Sequence, residues 1–132
     1  MDIRDDVQGV LEIFNSLSIS ERKLISNDGN LDESNVVVRK VLYIENEPIC
    51  FMEIFVPKFS KTPYLVVATK EQYRQLGYSK FLSNLIEEEN LKNKTYKDLY
   101  WCVNINNIPS INLCKSLGFK ELKKGFYIKN CF

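Results

Sequence analysis

Between Arg74 and Ser79 the chain reads Arg-Gln-Leu-Gly-Tyr-Ser, and these residue types suit an anion site. An apolar run, Tyr64 to Ala68, precedes them. Tyr78, Phe81, Leu82, Leu85 and Ile86 follow at helical spacing. The order predicts strand, turn and helix, with Gly77 in the turn. The first N–H groups of a helix have no intrahelical acceptor, and the helix dipole adds positive potential there. No acid occupies the first turn. Arg74 and Lys80 flank it, while Glu87, Glu88 and Glu89 lie at the far end. Gly77 has no Cβ, so a phosphate can lie against its backbone. The structural alternative is an ordinary strand-to-helix junction.

The remaining reactive residues are few. The chain has no histidine, which removes Ser-His-Asp and Cys-His chemistry. Proton transfer must then use Glu, Asp, Tyr, Cys, Lys or water. The four cysteines, Cys50, Cys102, Cys114 and Cys131, form no C-x-x-C pair, so no metal site is expected. Free thiols in a domain of this size suit a reducing compartment. Glu53 shares a strand face with Phe51 and Phe55, because strand side chains alternate. It reads either as a base or as a carboxylate at a sheet margin or in an ion pair.

The elements that must position these residues form an α/β (α+β) pattern. Val7, Val10, Leu11, Phe14 and Leu17 predict one face of a first helix, with Asp5 and Asp6 at its start. A second short helix is expected over Ile19 to Ile25, ended by a turn cluster from Asn27 to Asn30. Val36 to Ile44 and Ile49 to Val56 are β-branched and aromatic runs around Glu45 to Pro48, and predict an antiparallel hairpin. Asp98 to Val103 predicts a strand parallel to Tyr64–Thr69, since a helix joins the two by a right-handed crossover. A last helix opens after Asn104 to Pro109, and proline suits its first turn. Gly118 is the expected left-handed cap, with Phe119 folded back. Phe119 to Leu122 and Phe126 to Ile128 predict a closing hairpin.

The 132 residues suffice for one compact core. A net charge of +1 gives no global signal for nucleic acid or an anionic membrane. The N-terminus lacks a secretory apolar region, and no apolar run approaches the ~20 residues of a membrane span. A single domain over 1–132, cytoplasmic and either monomer or homodimer, is expected.

A second segment gives these features a joint meaning. Asn107-Ile-Pro-Ser-Ile-Asn-Leu-Cys-Lys-Ser-Leu-Gly-Phe119 closely resembles the N-x-x-A-x-x-L-Y-x-x-x-G-F signature of GNAT-type N-acetyltransferases. Arg74 to Ser79 is similar to that superfamily's Q/R-x-x-G-x-G/A acetyl-CoA motif. The resemblance covers roughly residues 35–129; residues 1–34 match only as a helical region, and the family's first strand is short or missing. It implies a twisted mixed β-sheet, flanked by helices and splayed between the two central parallel strands.

Acetyl-CoA would lie in that opening. Arg74, Gln75, Leu76, Gly77, Tyr78, Ser79 and Lys80 would meet its pyrophosphate, largely through backbone N–H groups. Val67, Ala68 and Thr69 would pair with its pantetheine arm, and Asn107 would contact the same arm. Two positions depart from the pattern. Ser79 replaces a smaller residue, and its hydroxyl can reach a phosphate. Cys114 stands where a tyrosine often protonates the departing thiolate. A thiol of free pKa ~8.5 is a feasible acid but a weak donor, and the alternative role is packing. The implied activity is transfer of the acetyl group to a primary amine of a small molecule, peptide or protein by direct attack. Cys114 would serve as acid, with Tyr64, Tyr73, Tyr100 or water as the alternatives, and in the absence of a clear base Glu53 is the candidate. N–H groups near Ala68 and Thr69 would polarise the thioester. The alternative is a non-catalytic acyl-CoA-binding module with a degenerate site.

Overall fold

A computed structural model of the chain describes every residue except Asn27, so that part of the expected Asn27–Asn30 turn lies outside the described residues. The chain starts with a three-residue strand, β1 (Asp2–Arg4), antiparallel to Val41–Tyr43. Helix α1 (Val7–Ser16) is capped by Asp6, whose side chain accepts from the Gln8 N–H. Helix α2 (Ile19–Ile25) starts with a capping box of Ser18 and Glu21. On α1 the buried residues include Val10, Ile13 and Phe14, followed by Leu17. Leu11 is half-buried and Val7 exposed, so the inward face is rotated from the expected one.

The expected hairpin forms from β2 (Val36–Ile44) and β3 (Glu47–Phe55). Its turn is only Glu45 and Asn46, both left-handed, at φ 49° and 65°. Two such residues match the twist of the flanking strands. Pro48 therefore belongs to β3, opposite Tyr43 beside a register shift, where the ladder tolerates a missing donor.

Then come β4 (Tyr64–Thr69), α3 (Tyr78–Asn93), β5 (Asp98–Cys102), α4 (Ile108–Ser116), β6 (Lys120–Lys123) and β7 (Phe126–Asn130). They complete a seven-stranded sheet of order β1-β2-β3-β4-β5-β7-β6, in which only β4 and β5 run parallel. That pair is joined at a single register position, Tyr64 with Tyr100, whereas β3–β4 and β5–β7 pair along their lengths. Beyond Tyr64 the β5-facing edge of β4 has no strand partner, so the sheet splays toward Thr69.

Each face of the sheet has its own core. On one, Val10, Ile13 and Phe14 of α1 pack on Val41, Phe51 and Ala68. On the other, Leu82 and Ile86 of α3 and Cys114 of α4 pack with Met52, Leu99 and Trp101. Each such large side chain contributes about 1.5–3 kcal/mol by leaving water. Gly118 is left-handed at φ 91°, and Phe119 turns back onto Trp101 with ring centroids 5.3 Å apart. No helix among the described residues is long and apolar enough to cross a membrane.

Candidate active site

The splayed edge opens into a cavity of about 630 Å³. Three of its walls hold the expected donor-binding residues. Val67, Ala68 and Thr69 supply the strand edge. Arg74, Gln75, Gly77, Tyr78, Ser79 and Lys80 supply the turn and the start of α3. Asn107, Pro109 and Ser110 supply the start of α4. Of the expected donor-binding residues only Leu76 is not in the lining, and its side chain is exposed on the same turn.

The turn is built to leave amides free. Gly77 is the N-cap of α3 in a left-handed conformation, φ 87°, and has no side chain to cap the helix. The amides of Tyr78, Ser79 and Lys80 thus lack both an intrahelical and a capping acceptor. Gln75 is also left-handed, at φ 62°. Turns with such residues gather N–H groups into anion-binding concavities. A Cβ placed on Gly77 would meet nothing within 4 Å, so the space over its backbone is open. These features fit a phosphate group.

The turn is tied to the strand on two sides. The Ser79 and Thr69 hydroxyls are 3.0 Å apart, and Thr69 Oγ1 donates to Cys50 Sγ at 3.1 Å. Ser79 thus anchors the first turn of α3 to the end of β4. Arg74 Nε donates to the Thr69 carbonyl at 3.1 Å, and its Nη2 pairs with Glu21 of α2 at 2.7 Å. At the opposite wall, Asn107 Oδ1 accepts from the Ser110 N–H at 3.4 Å as the N-cap of α4. Its amide N–H₂ faces no acceptor among the described residues.

The two candidate proton-transfer groups lie outside the lining. Cys114 is fully buried in the core against α3, and burial pushes its thiol up to about 12. Glu53 is fully buried on the opposite face of the sheet. Its Oε2 accepts from Arg39 Nε at 3.0 Å, and Arg39 also pairs with Glu33 and Asp5 at 3.2 and 3.0 Å. Glu53 Oε1 and Glu33 Oε2 are buried without partners. Burial raises the Glu53 carboxyl well above the usual range, and the adjacent Glu33 adds to the rise against the pull of Arg39. The structure does not bring Glu53 and Cys114 together.

Several lining residues carry no mark in the sequence. Leu17, Glu21, Leu24 and Ile25 bring the N-terminal helical region onto the cavity, with Asn106 and Leu113 completing it; of the three tyrosines considered as the acid, only Tyr73 is in the lining. Ser18-Ile-Ser-Glu21 is a capping-box pattern that announces the start of α2. Nothing local announces that Glu21 meets Arg74.

A mostly antiparallel sheet splayed at one parallel junction, with an uncapped glycine turn beside the opening, is the architecture of the GNAT acetyltransferases. A model of the Acetyltransferase (GNAT) family matches residues 10–119, and the chain belongs to that family. An N-alpha-acetyltransferase of Sulfurisphaera tokodaii is 37% identical over 68 residues, covering 51% of this chain and 41% of that protein. The match therefore spans less than half the length of that relative. A GNAT-family acetyltransferase from Staphylococcus aureus Mu50 superposes over 99% of both chains, with TM-score 0.74 and 15% identity. The ribosomal-protein-S18-alanine N-acetyltransferase from Escherichia coli gives TM-score 0.67 at 19% identity, over 96% of this chain and 90% of that one. At such identities the structural likeness establishes the fold.

Proposed function

We propose that residues 1–132 act as one cytoplasmic acetyltransferase domain, monomer or homodimer, that transfers the acetyl group of acetyl-CoA to a primary amine by direct attack. The observation that carries this reading is the convergence of three ligand-ready features on one cavity: the free edge of β4, the uncapped start of α3, and Asn107.

Acetyl-CoA supplies an acyl group activated as a thioester. The amides from Gln75 to Lys80 and the side chains of Arg74 and Lys80 offset phosphate charge. The edge from Val67 to Thr69 and the Asn107 amide orient the pantetheine arm. The Thr69 N–H, which points away from β3, stabilises negative charge on the carbonyl oxygen. Holding donor and amine together supplies much of the acceleration.

Proton transfer is assigned by access. A thiol held near 12 in a dry core suits packing, and the proton for the departing thiolate is then left to Tyr73 or water. Tyr73 lines the cavity, and its hydroxyl donates to Glu47 at 3.2 Å. Glu53 could take the amine's proton only through water and only in its ionised form, which its burial and the adjacent Glu33 oppose. Cys114→Ala is expected to cost about 1 kcal/mol of stability, the scale of one deleted buried group. Turnover per folded molecule should not change, as read by urea unfolding beside thiol release. A large fall in kcat at unchanged acetyl-CoA affinity would return the acid role to Cys114.

The overall test is thiol release from acetyl-CoA against polyamines, amino acids, aminoglycosides and peptides. Ligand at 100 times its dissociation constant should also stabilise the fold by about 2.7 kcal/mol, seen as a rise in Tm. A second reading, a non-catalytic acyl-CoA-binding module, is favoured by the position of Cys114 outside the cavity lining. It predicts the same stabilisation with no thiol release. Calorimetry showing no binding at millimolar acetyl-CoA would sink both.

A further inference from the structure

The sheet has an uncovered face beside the cleft. On the side packed by α1, no residue of β5, β6 or β7 belongs to the buried core. Residues paired across neighbouring strands share a face. Lys120 is paired with Ile128, Ile128 with Tyr100, Tyr100 with Tyr64, and Tyr64 with Phe55. This row crosses the uncovered side. Phe55 stacks on Tyr64 at 5.6 Å between centroids, Tyr100 lies at 6.0 Å, and Phe126 meets the Tyr64 ring edge-on at 6.2 Å. All four rings are half-buried.

The location of the rings links them to the reaction. Tyr64 and Tyr100 form the vertex where β4 and β5 part. A donor laid along the β4 edge from the Gly77 turn extends toward this vertex. The rings therefore border the approach of the second substrate.

Lysines outnumber acids around them. Lys123 Nζ lies 5.0 Å from the Phe126 ring centroid, and Lys120 ends the row. Lys124 is exposed in the adjoining turn, and Lys58 and Lys61 in the loop between Phe55 and Tyr64. Of the three nearby acids only Glu53 faces a cation, and the other two are held by neutral donors. Asp98 accepts from Asn130, Glu121 from the Tyr127 hydroxyl, and Glu53 from Arg39. Among the described residues lining the cavity, the one acid is Glu21, already paired with Arg74. A polyamine or aminoglycoside would find no free carboxylate in the cavity lining and a rim in which lysines outnumber acids. An apolar segment carrying acids would bury its side chains on the rings and meet opposite charge at the rim.

We propose that the acceptor is a peptide segment whose amine is followed by apolar and acidic side chains. Its apolar part rests on Tyr64, Tyr100 and Phe126, with its carboxylates toward Lys120 and Lys123. This rests on the acetyl-transfer reading above and adds the class of acceptor to it.

The test compares two peptides of equal length, each with a free N-terminal Phe, one continuing in Glu and the other in Arg, beside spermidine. Thiol release is measured at saturating acetyl-CoA in low salt, and binding by anisotropy of the same peptides labelled at the C-terminus. The acidic peptide should exceed the basic one in kcat/KM by at least about tenfold, with the gap narrowing as salt rises. Lys120→Glu with Lys123→Glu should erase that advantage and leave the KM for acetyl-CoA unchanged. Equal use of the two peptides, or preference for spermidine or the basic peptide, overturns the proposal and leaves acetyl transfer standing. Self-association lost in the double variant, without peptide binding, would assign the face to a second copy and also overturn it. Selective binding of the acidic peptide without thiol release from any acceptor keeps the docking surface but removes acetyl transfer, and with it the acceptor assignment. Neither binding nor release removes both.

Discussion

Gly77→Val is expected to raise the dissociation constant for acetyl-CoA roughly a hundredfold while the protein still folds. Two charge-assisted hydrogen bonds lost to a phosphate, at about 1.5 kcal/mol each, amount to that factor. The folded-state cost is smaller. A left-handed L-residue is penalised by about 1–2 kcal/mol, more for a β-branched one. The added Cβ meets no protein atom within 4 Å, so nothing in the core must shift. What it enters is the open space over the turn. Gly77→Asn separates the two effects, because asparagine tolerates left-handed backbone but still carries a side chain. It should retain near-native stability and bind acetyl-CoA poorly by calorimetry. Native affinity in both folded variants would place the phosphates elsewhere.

Arg39→Ala should destabilise the fold by about 1–3 kcal/mol, the scale for leaving buried acceptors without their donor. Arg39 is the cation shared by Glu53, Glu33 and Asp5, and the Glu53 side chain is only 1% exposed. Without it the buried Glu53 and Glu33 oxygens lose the donor they share. The same cluster sets a pH dependence. Burial and then Glu33 raise the Glu53 carboxyl, so the folded state holds that proton more tightly than the unfolded chain does. The resulting stability is fully present below about pH 4.3, the ordinary glutamate value, and is lost as pH rises through the raised folded value. Glu53→Gln cannot release a proton. Urea unfolding from pH 5 upward should show wild type losing stability relative to Glu53→Gln. Parallel profiles for the two proteins would show that Glu53 is already ionised when folded.

What could be read in advance follows the range of the interactions involved. The Gly77 turn, the Asn107–Pro109 helix start and the Gly118 cap are local devices, and each stands where its residue types predict. The β2–β3 hairpin declares itself through two β-branched runs. By contrast, β1 is three residues without a pattern of its own, and only the β2 edge makes it a strand. The inward turn of α1 is chosen by Val41 and Phe51, which no helical wheel contains. Glu53 among aromatics is visible in the sequence, but its partners Arg39 and Glu33 meet it only across strands and loops. The α2 wall of the cavity was hidden for the same reason, since Glu21 and Arg74 are 53 positions apart.

The single ladder position between β4 and β5 also bears on motion. Strands β1 to β4 form one antiparallel block, and β5, β7 and β6 another, each nearly continuous in sequence. Main-chain hydrogen bonds hold each block firmly but barely cross between them. The angle at the vertex is therefore governed by the side chains at their shared core, where Leu65, Leu82, Leu99 and Trp101 meet. Rocking one block against the other breaks almost no ladder. The opening between them behaves as a hinge whose stiffness is set by packing volume, and trimming Leu99 should loosen donor entry and exit without fraying a strand.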